Sequence, residues 1–213
     1  MINTELRKKR SEESLKISGI PINPHLPVIE SEDEITLRSP EDIAKRAIAL
    51  LAVAVRGEGL EQQEAIDILT ERKVWESTTP KERAFLLNKN PTEQERINFT
   101  WRYEGLWVLL WALGHIEELG MPTSICDVPH AVRIVLDIPA ETFIGQAKSR
   151  SKSEILDETD FIYRYHWAVV DARLKGNETP GNLDPGVVYE RHYTLNWLIG
   201  YLDQEWDDIS TDT

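Results

Sequence analysis

The sequence predicts an all-α fold: a single globular bundle of roughly eight or nine helices around a buried central helix at about 92–119, with an extended N-terminal arm. Three observations predict it. Helix-start signals, in which Ser, Thr, Asn or Asp precedes Pro or an acid, recur along the chain. Runs of β-branched alternation joined by hairpin turns are missing, as are internal repeats. The stretch from Phe99 to Leu119 is apolar on nearly every side, the mark of a helix surrounded by other helices.

Residues 4–17 read as a short polar helix that Gly19 stops. Pro21, Pro24 and Pro27 then force an extended path over 18–38, with Pro27–Ile29 and Ile35–Leu37 as short strand candidates. Residues 1–38 therefore form a helix and arm packed on an all-helical domain of 39–213, one structural domain in all. Ser39-Pro40-Glu41-Asp42 starts a helix that runs to about Arg56, with Ile43, Ala47, Leu50, Leu51 and Ala54 facing inward. A helix over 61–73 follows, and Thr79-Pro80-Lys81-Glu82 starts another that ends near Leu87. Asn90-Pro91-Thr92-Glu93 opens the central helix, which continues to Gly120 before Pro122. Asp127-Val128-Pro129 and Pro139-Ala140-Glu141 open short helices through Val135 and about Lys148. Ser153 caps a long helix to Leu174, and Gly176 ends it. After a loop over 176–186, Asp184-Pro185 starts the last substantial helix, which Gly200 stops after Ile199. In the tail, Trp206 is expected to anchor in an apolar notch while Asp207 and Asp208 meet an Arg or cap a helix N-terminus.

Charge narrows the function classes. The net charge is −13, which argues against nucleic acid as a partner, because the phosphate backbone calls for a basic face. The acid is uneven: residues 1–90 carry 14 Lys+Arg against 16 Asp+Glu, and residues 91–213 carry 10 against 21. The second part should attract cationic partners. Cys126 is the single cysteine, which excludes a disulfide framework and a cysteine zinc cluster and fits a reducing cytoplasm. The basic start lacks the apolar core of a secretory signal, and the apolar run Leu106–Leu113 is too short to cross a bilayer, so no membrane association is expected.

Three helices mix aromatic and ionisable residues. On the central helix Glu104, Trp111 and His115 fall on one face, because 104 to 115 is about three turns. Arg102 points the other way. In the helix from 153, Asp160, Arg164, Trp167 and Asp171 make one stripe, and His166 lies beside it. In the last helix Tyr189, His192 and Asn196 share a stripe, and Glu190 and Trp197 another. If the three converge, Glu104, His115, His166, Glu190 and His192 supply acid and base groups, Trp111, Trp167 and Trp197 supply walls, and Asn196 adds a polar group. Arg102, Arg164 and Arg191, with Asp160 and Asp171, read as structural ion pairs that tie helices together. The His and Glu residues follow no metal-ligand spacing, and no nucleophile or phosphate-loop motif is present, so neither metal nor cofactor is called for.

A set of short pieces goes further. Arg10, Ser14 and Gly19-Ile20-Pro21, then Ala44 and Arg46-Ala47, then Trp101-Arg102-Tyr103-Glu104 with Leu109-Leu110-Trp111-Ala112-Leu113-Gly114 belong together. Cys126-Asp127, Glu154-Ile155-Leu156-Asp157, Tyr163-Arg164 with His166-Trp167-Ala168, and Asp171-Ala172-Arg173 continue the pattern. Val188, Glu190-Arg191-His192, Asn196-Trp197 and Trp206-Asp207-Asp208 close it. This pattern resembles the bacterial family known as domain of unknown function 4272, over nearly the whole chain. The resemblance implies one domain, a cytoplasmic bacterial setting and an intact C-terminus, and it brings no catalytic residue. The leading expectation is a non-enzymatic binding or interaction protein with a cationic protein as partner. The alternative is a hydrolase-like acid–base enzyme in which Glu104 works with His115, His166 or His192.

Overall fold

The computed structural model describes residues 3–213, and among them there is no β-strand. Among the described residues there are ten α-helical segments, nine if the two halves of the kinked central helix are counted together. They build the expected all-α bundle.

Helix α1 (Thr4–Ile17) starts on Asn3, whose side chain accepts the Glu5 N–H. Its buried residues Arg7, Ser11 and Leu15 recur every fourth position and face α9. The arm over 18–38 is extended without strand pairing, so the strand candidates at Pro27–Ile29 and Ile35–Leu37 are not realised. Its prolines remove donors a sheet ladder would need. Lysines pin it instead: Lys8 Nζ donates to Pro24 O and Leu26 O, and Lys152 Nζ to Glu32 O and Ile35 O.

Helix α2 (Pro40–Glu58) is capped by Ser39 and is buried without a gap from Ala47 to Ala54. It shares the centre of the bundle with the central helix, against both halves of which it packs. Close approach is possible because Gly57 has no side chain; a Cβ there would fall 2.8 Å from Arg96 O. Helices α3 (Gln62–Glu71) and α4 (Pro80–Leu87) follow, the latter started by a Thr79–Glu82 capping box.

The stretch expected as one helix over 92–119 is divided. Helix α5 (Glu93–Thr100) and helix α6 (Arg102–Ala112) meet at Trp101, where Glu104 N–H bonds Trp101 O in a tightened turn. Helix α6 then stops seven residues early. Gly114 takes φ +79°, its N–H bonds Trp111 O, and His115 N–H reaches back to Leu110 O. That is a glycine-terminated C-cap, and it places His115 outside the helix and off the face of Glu104 and Trp111. Residues 113–127 form a loop over the bundle.

Helices α7 (Val128–Asp137) and α8 (Ala140–Gly145) precede α9 (Lys152–Leu174). The cap of α9 is Ser151, not Ser153: Ser151 and Glu154 form the capping box. Helix α10 (Pro185–Ile199) is capped by Asp184 and closed by Gly200 in the left-handed conformation. It lies against α9 and crosses α6 at Gly105, where a Cβ would meet Thr194 Oγ1 at 2.9 Å. The tail is docked. Trp206 is buried edge-on against Trp197 and Tyr193, under the Arg46 guanidinium.

Candidate functional site

The side chains of α6, α9 and α10 fall into three neighbourhoods. Glu104 is sealed in the first, 1 % exposed. Its carboxylate accepts the Cys126 N–H on one oxygen and Arg191 Nε at 3.5 Å on the other. Arg191 Nη1 also donates to Leu119 O and Gly120 O at 2.9 Å each. The pair thus fastens the 113–127 loop to α6 and α10. Burial, followed by the charge of Glu104, pushes the Cys126 thiol far above its ordinary value, which leaves it inert as a nucleophile. No imidazole takes part in this cluster. His115 is exposed and stacks on Phe143 with ring centroids 5.2 Å apart.

The second neighbourhood is the α9–α10 seam. His166 and His192 are buried and bonded to each other through Nδ1 atoms 2.8 Å apart. Burial pushes His166 down to about 4 and His192 to about 3, so both rings are neutral at pH 7. His166 opens on a cleft of about 830 Å³ where α9 ends, α10 begins and α5 meets α6. Arg102 and Glu190 line the same cleft, with Arg102 Nη1 2.8 Å from Glu190 Oε2. Burial raises the Glu190 carboxyl to about 7 against the opposing pull of Arg102. Trp101 and Tyr189 supply its aromatic walls. His192 faces the other way, toward Tyr163 and Asn196, and Asn196 Nδ2 holds the tail at Ser210 O, 2.8 Å away.

The third neighbourhood is an acidic cleft of about 430 Å³ between α9 and the 113–127 loop. Glu117, Glu118, Glu154, Asp157 and Glu158 line it with one cation, Arg150, and Asp157 is paired with the buried Arg7 Nε at 2.7 Å. Arg150 is spoken for: it bonds Trp111 O, Ile116 O, Glu117 O and Glu154, and lies 5.0 Å over the Trp111 ring. Phe161 and Tyr165 stack beside it on α9. Glu158 has no Lys or Arg within ion-pair distance among the described residues. Burial raises its pKa, and Asp157 and Glu118 add to the rise while Arg191 and Arg150 oppose it.

The remaining predicted residues lie elsewhere. Trp167 is half-buried against the core. Trp197 is buried beneath Arg38 and beside Trp206. Asp160 and Arg164 form a buried pair, 2.7 Å at the shorter contact, and Asp171 pairs with Lys175. The structure therefore brings His166, Glu190 and Arg102 to one cleft, with His192 behind, and leaves Glu104, Trp111, His115 and Trp197 apart. The acidic cleft escaped the sequence reading, although a signal was there: Glu154, Glu158, Phe161 and Tyr165 are spaced 4, 3 and 4 apart, one helical face. Trp101, Arg173 and Tyr189 join this cleft at the kink from the α5–α6 junction, α9 and α10, a convergence that no single helix face encodes.

The sequence model of the family described as "Domain of unknown function (DUF4272)" matches residues 7–209. No curated protein and no solved structure matches the chain. Among the described residues no helix is long and apolar enough to cross a membrane, and no group of three or more His, Cys, Asp or Glu is placed to hold a metal ion.

Proposed function

We propose that this chain, which belongs to the family described as Domain of unknown function (DUF4272), is a non-enzymatic binding protein that takes a cationic group of a protein partner into the acidic cleft beside α9. Glu158 carries the reading. Its carboxylate is half-buried, it has no Lys or Arg within ion-pair distance among the described residues, and Asp157 and Glu118 add to the local negative potential. A Lys or Arg side chain entering the cleft supplies that missing charge. Its stem lies along Phe161 and Tyr165, whose rings also attract a cation. The acid excess of residues 91–213 steers such a partner in.

The reading is supported too by where the groups of the acid–base alternative lie. Glu104 is held by Arg191 and the Cys126 N–H, and the two interior imidazoles are bonded to each other. The setting we assign is a bacterial cytoplasm, in keeping with one buried, unpaired cysteine.

The test is a titration of ¹⁵N-labelled protein with a hexa-arginine peptide and its citrulline counterpart. Shifts confined to 117–121 and 154–165 are expected with the arginine peptide alone, and Glu158→Gln should weaken it about tenfold. Equal binding of the citrulline peptide, or shifts centred elsewhere, would overturn the reading.

A further inference from the structure

The cleft at the kink of the central helix has a different chemistry. Two cations, Arg102 and Arg173, line it against one carboxylate, Glu190. In a chain of net charge −13 that balance runs opposite to the molecule as a whole. Arg173 is exposed, and no carboxylate lies within ion-pair distance of it among the described residues. Arg102 is pinned by one bond to Glu190 while its Nε is buried without a partner. Glu190 is only 6 % exposed, and that bond occupies Oε2 and leaves Oε1 free. A buried ion pair with unmet hydrogen-bonding capacity is costly to keep unless something else meets it.

The walls are aromatic, and one is held in place by a glycine. A Cβ at Gly186 would come 2.5 Å from Trp101 Cη2, so the first turn of α10 accepts the indole only because residue 186 is bare. Tyr189 lies one turn further along the same helix. His166 is tied through Nδ1 to His192, which leaves its Nε2 edge for the cleft.

We propose that this cleft is a separate ligand site for a small aromatic anion, a planar ring bearing a carboxylate or a phosphate. The anionic group sits between Arg173 and Arg102, and the ring lies against Trp101 and Tyr189. A polar ring substituent reaches Glu190 Oε1 or His166 Nε2. The volume of about 830 Å³ is in the range of small-molecule sites. This site shares no residue with the acidic cleft and does not rest on the cationic-partner reading.

Ligand-observed NMR titrations with phenyl phosphate, 4-hydroxybenzoate, inorganic phosphate and benzamidine test it. Both aromatic anions should bind, the tighter of the two identifying the head group, and inorganic phosphate should bind at least about tenfold more weakly. Arg173→Ala, at an exposed position, should weaken the aromatic anions about tenfold with the melting temperature unchanged. Gly186→Ala should weaken them by displacing Trp101. Glu158→Gln should leave their affinity as it was, which separates this site from the acidic cleft. The proposal fails if neither aromatic anion binds, if Arg173→Ala leaves their affinity unchanged, or if benzamidine displaces them.

Discussion

His166 and His192 share a single hydrogen-bonded contact, Nδ1 to Nδ1 at 2.8 Å with the ring planes at 86°, so one ring donates and the other accepts. A further proton on the accepting Nδ1 abolishes the bond and places a charge in the seam. The unfolded chain has no such obstacle, and both rings there titrate near 6.5. As the folded values lie near 4 and 3, the unfolded state binds more protons across that interval, and stability is lost as pH falls from about 6.5 toward 4. Glu190 acts in the opposite sense. Its carboxyl is raised from 4.5 to about 7, so its contribution is full below pH 4.5 and lost as pH rises through 7. Two imidazoles outweigh one carboxyl on the acid side, so these three groups together favour the fold most near pH 6.5. Urea midpoints measured from pH 4 to 8 should show it. In His166→Asn/His192→Asn the acid limb should flatten; an acid limb as steep as the parent's would contradict the assignment.

Arg164 is 2 % exposed and forms a two-point contact with Asp160, which is itself fully buried. Glu12 of α1 lies 3.6 Å from the same guanidinium, so the arginine also fastens the N-terminal helix to α9. Arg164→Met should destabilise by about 3–5 kcal/mol, because it strands the Asp160 carboxylate without a counter-charge. Arg164→Met/Asp160→Leu should recover most of that loss, since the cost lies in the orphaned charge rather than in the missing bond. A single variant that melts with the parent would mean that water reaches Asp160.

How far the chain could be read in advance depends on whether the deciding contact is local. The starts of α2, α4 and α10 were legible at Ser39, Thr79 and Asp184, because a cap is written within four residues of the helix it starts. The end of α6 was missed although its signal, Gly114, is local too: the apolar run through Leu113 and Ile116 outweighed a single glycine. That one error moved His115 onto a face it does not occupy. The pairing of Arg102 with Glu190, 88 positions apart, depends on a kink and a helix crossing that no periodicity encodes. The same holds for Glu117 and Glu118, whose loop is held by Arg150 at Ile116 O and Glu117 O and by Arg191 at Leu119 O and Gly120 O.

Asp207 supplies a cap to a helix it does not belong to. Its Oδ2 accepts the Lys81 N–H at 3.0 Å in the first turn of α4, and Lys81 Nζ returns a bond to Asp207 O. The tail was expected to dock in this way, with Trp206 as the anchor. Removing the cap in Asp207→Ala should cost about 1 kcal/mol. Trp206→Ala should cost about 3–5 kcal/mol, since it empties the notch between Trp197, Tyr193 and Arg46. Urea titrations of both variants give the ratio, and equal, near-zero losses would show a tail that adds nothing to the fold.

Glu158 sets stability against binding. Its pKa is raised, by burial first, so the folded state holds the proton more tightly than the unfolded chain does. Stability is therefore lost as pH rises through the folded value, and at pH 8 the ionised carboxylate weakens the fold. Glu158→Gln removes that loss and should melt higher than the parent at pH 8, with the gain shrinking as pH falls below the ordinary carboxyl value of 4.5. The same variant should bind the hexa-arginine peptide about tenfold more weakly. A residue that destabilises the free protein and strengthens the complex is what a binding site is expected to hold. If Glu158→Gln neither stabilises at pH 8 nor alters binding, the carboxylate is solvated like any other on this acidic surface.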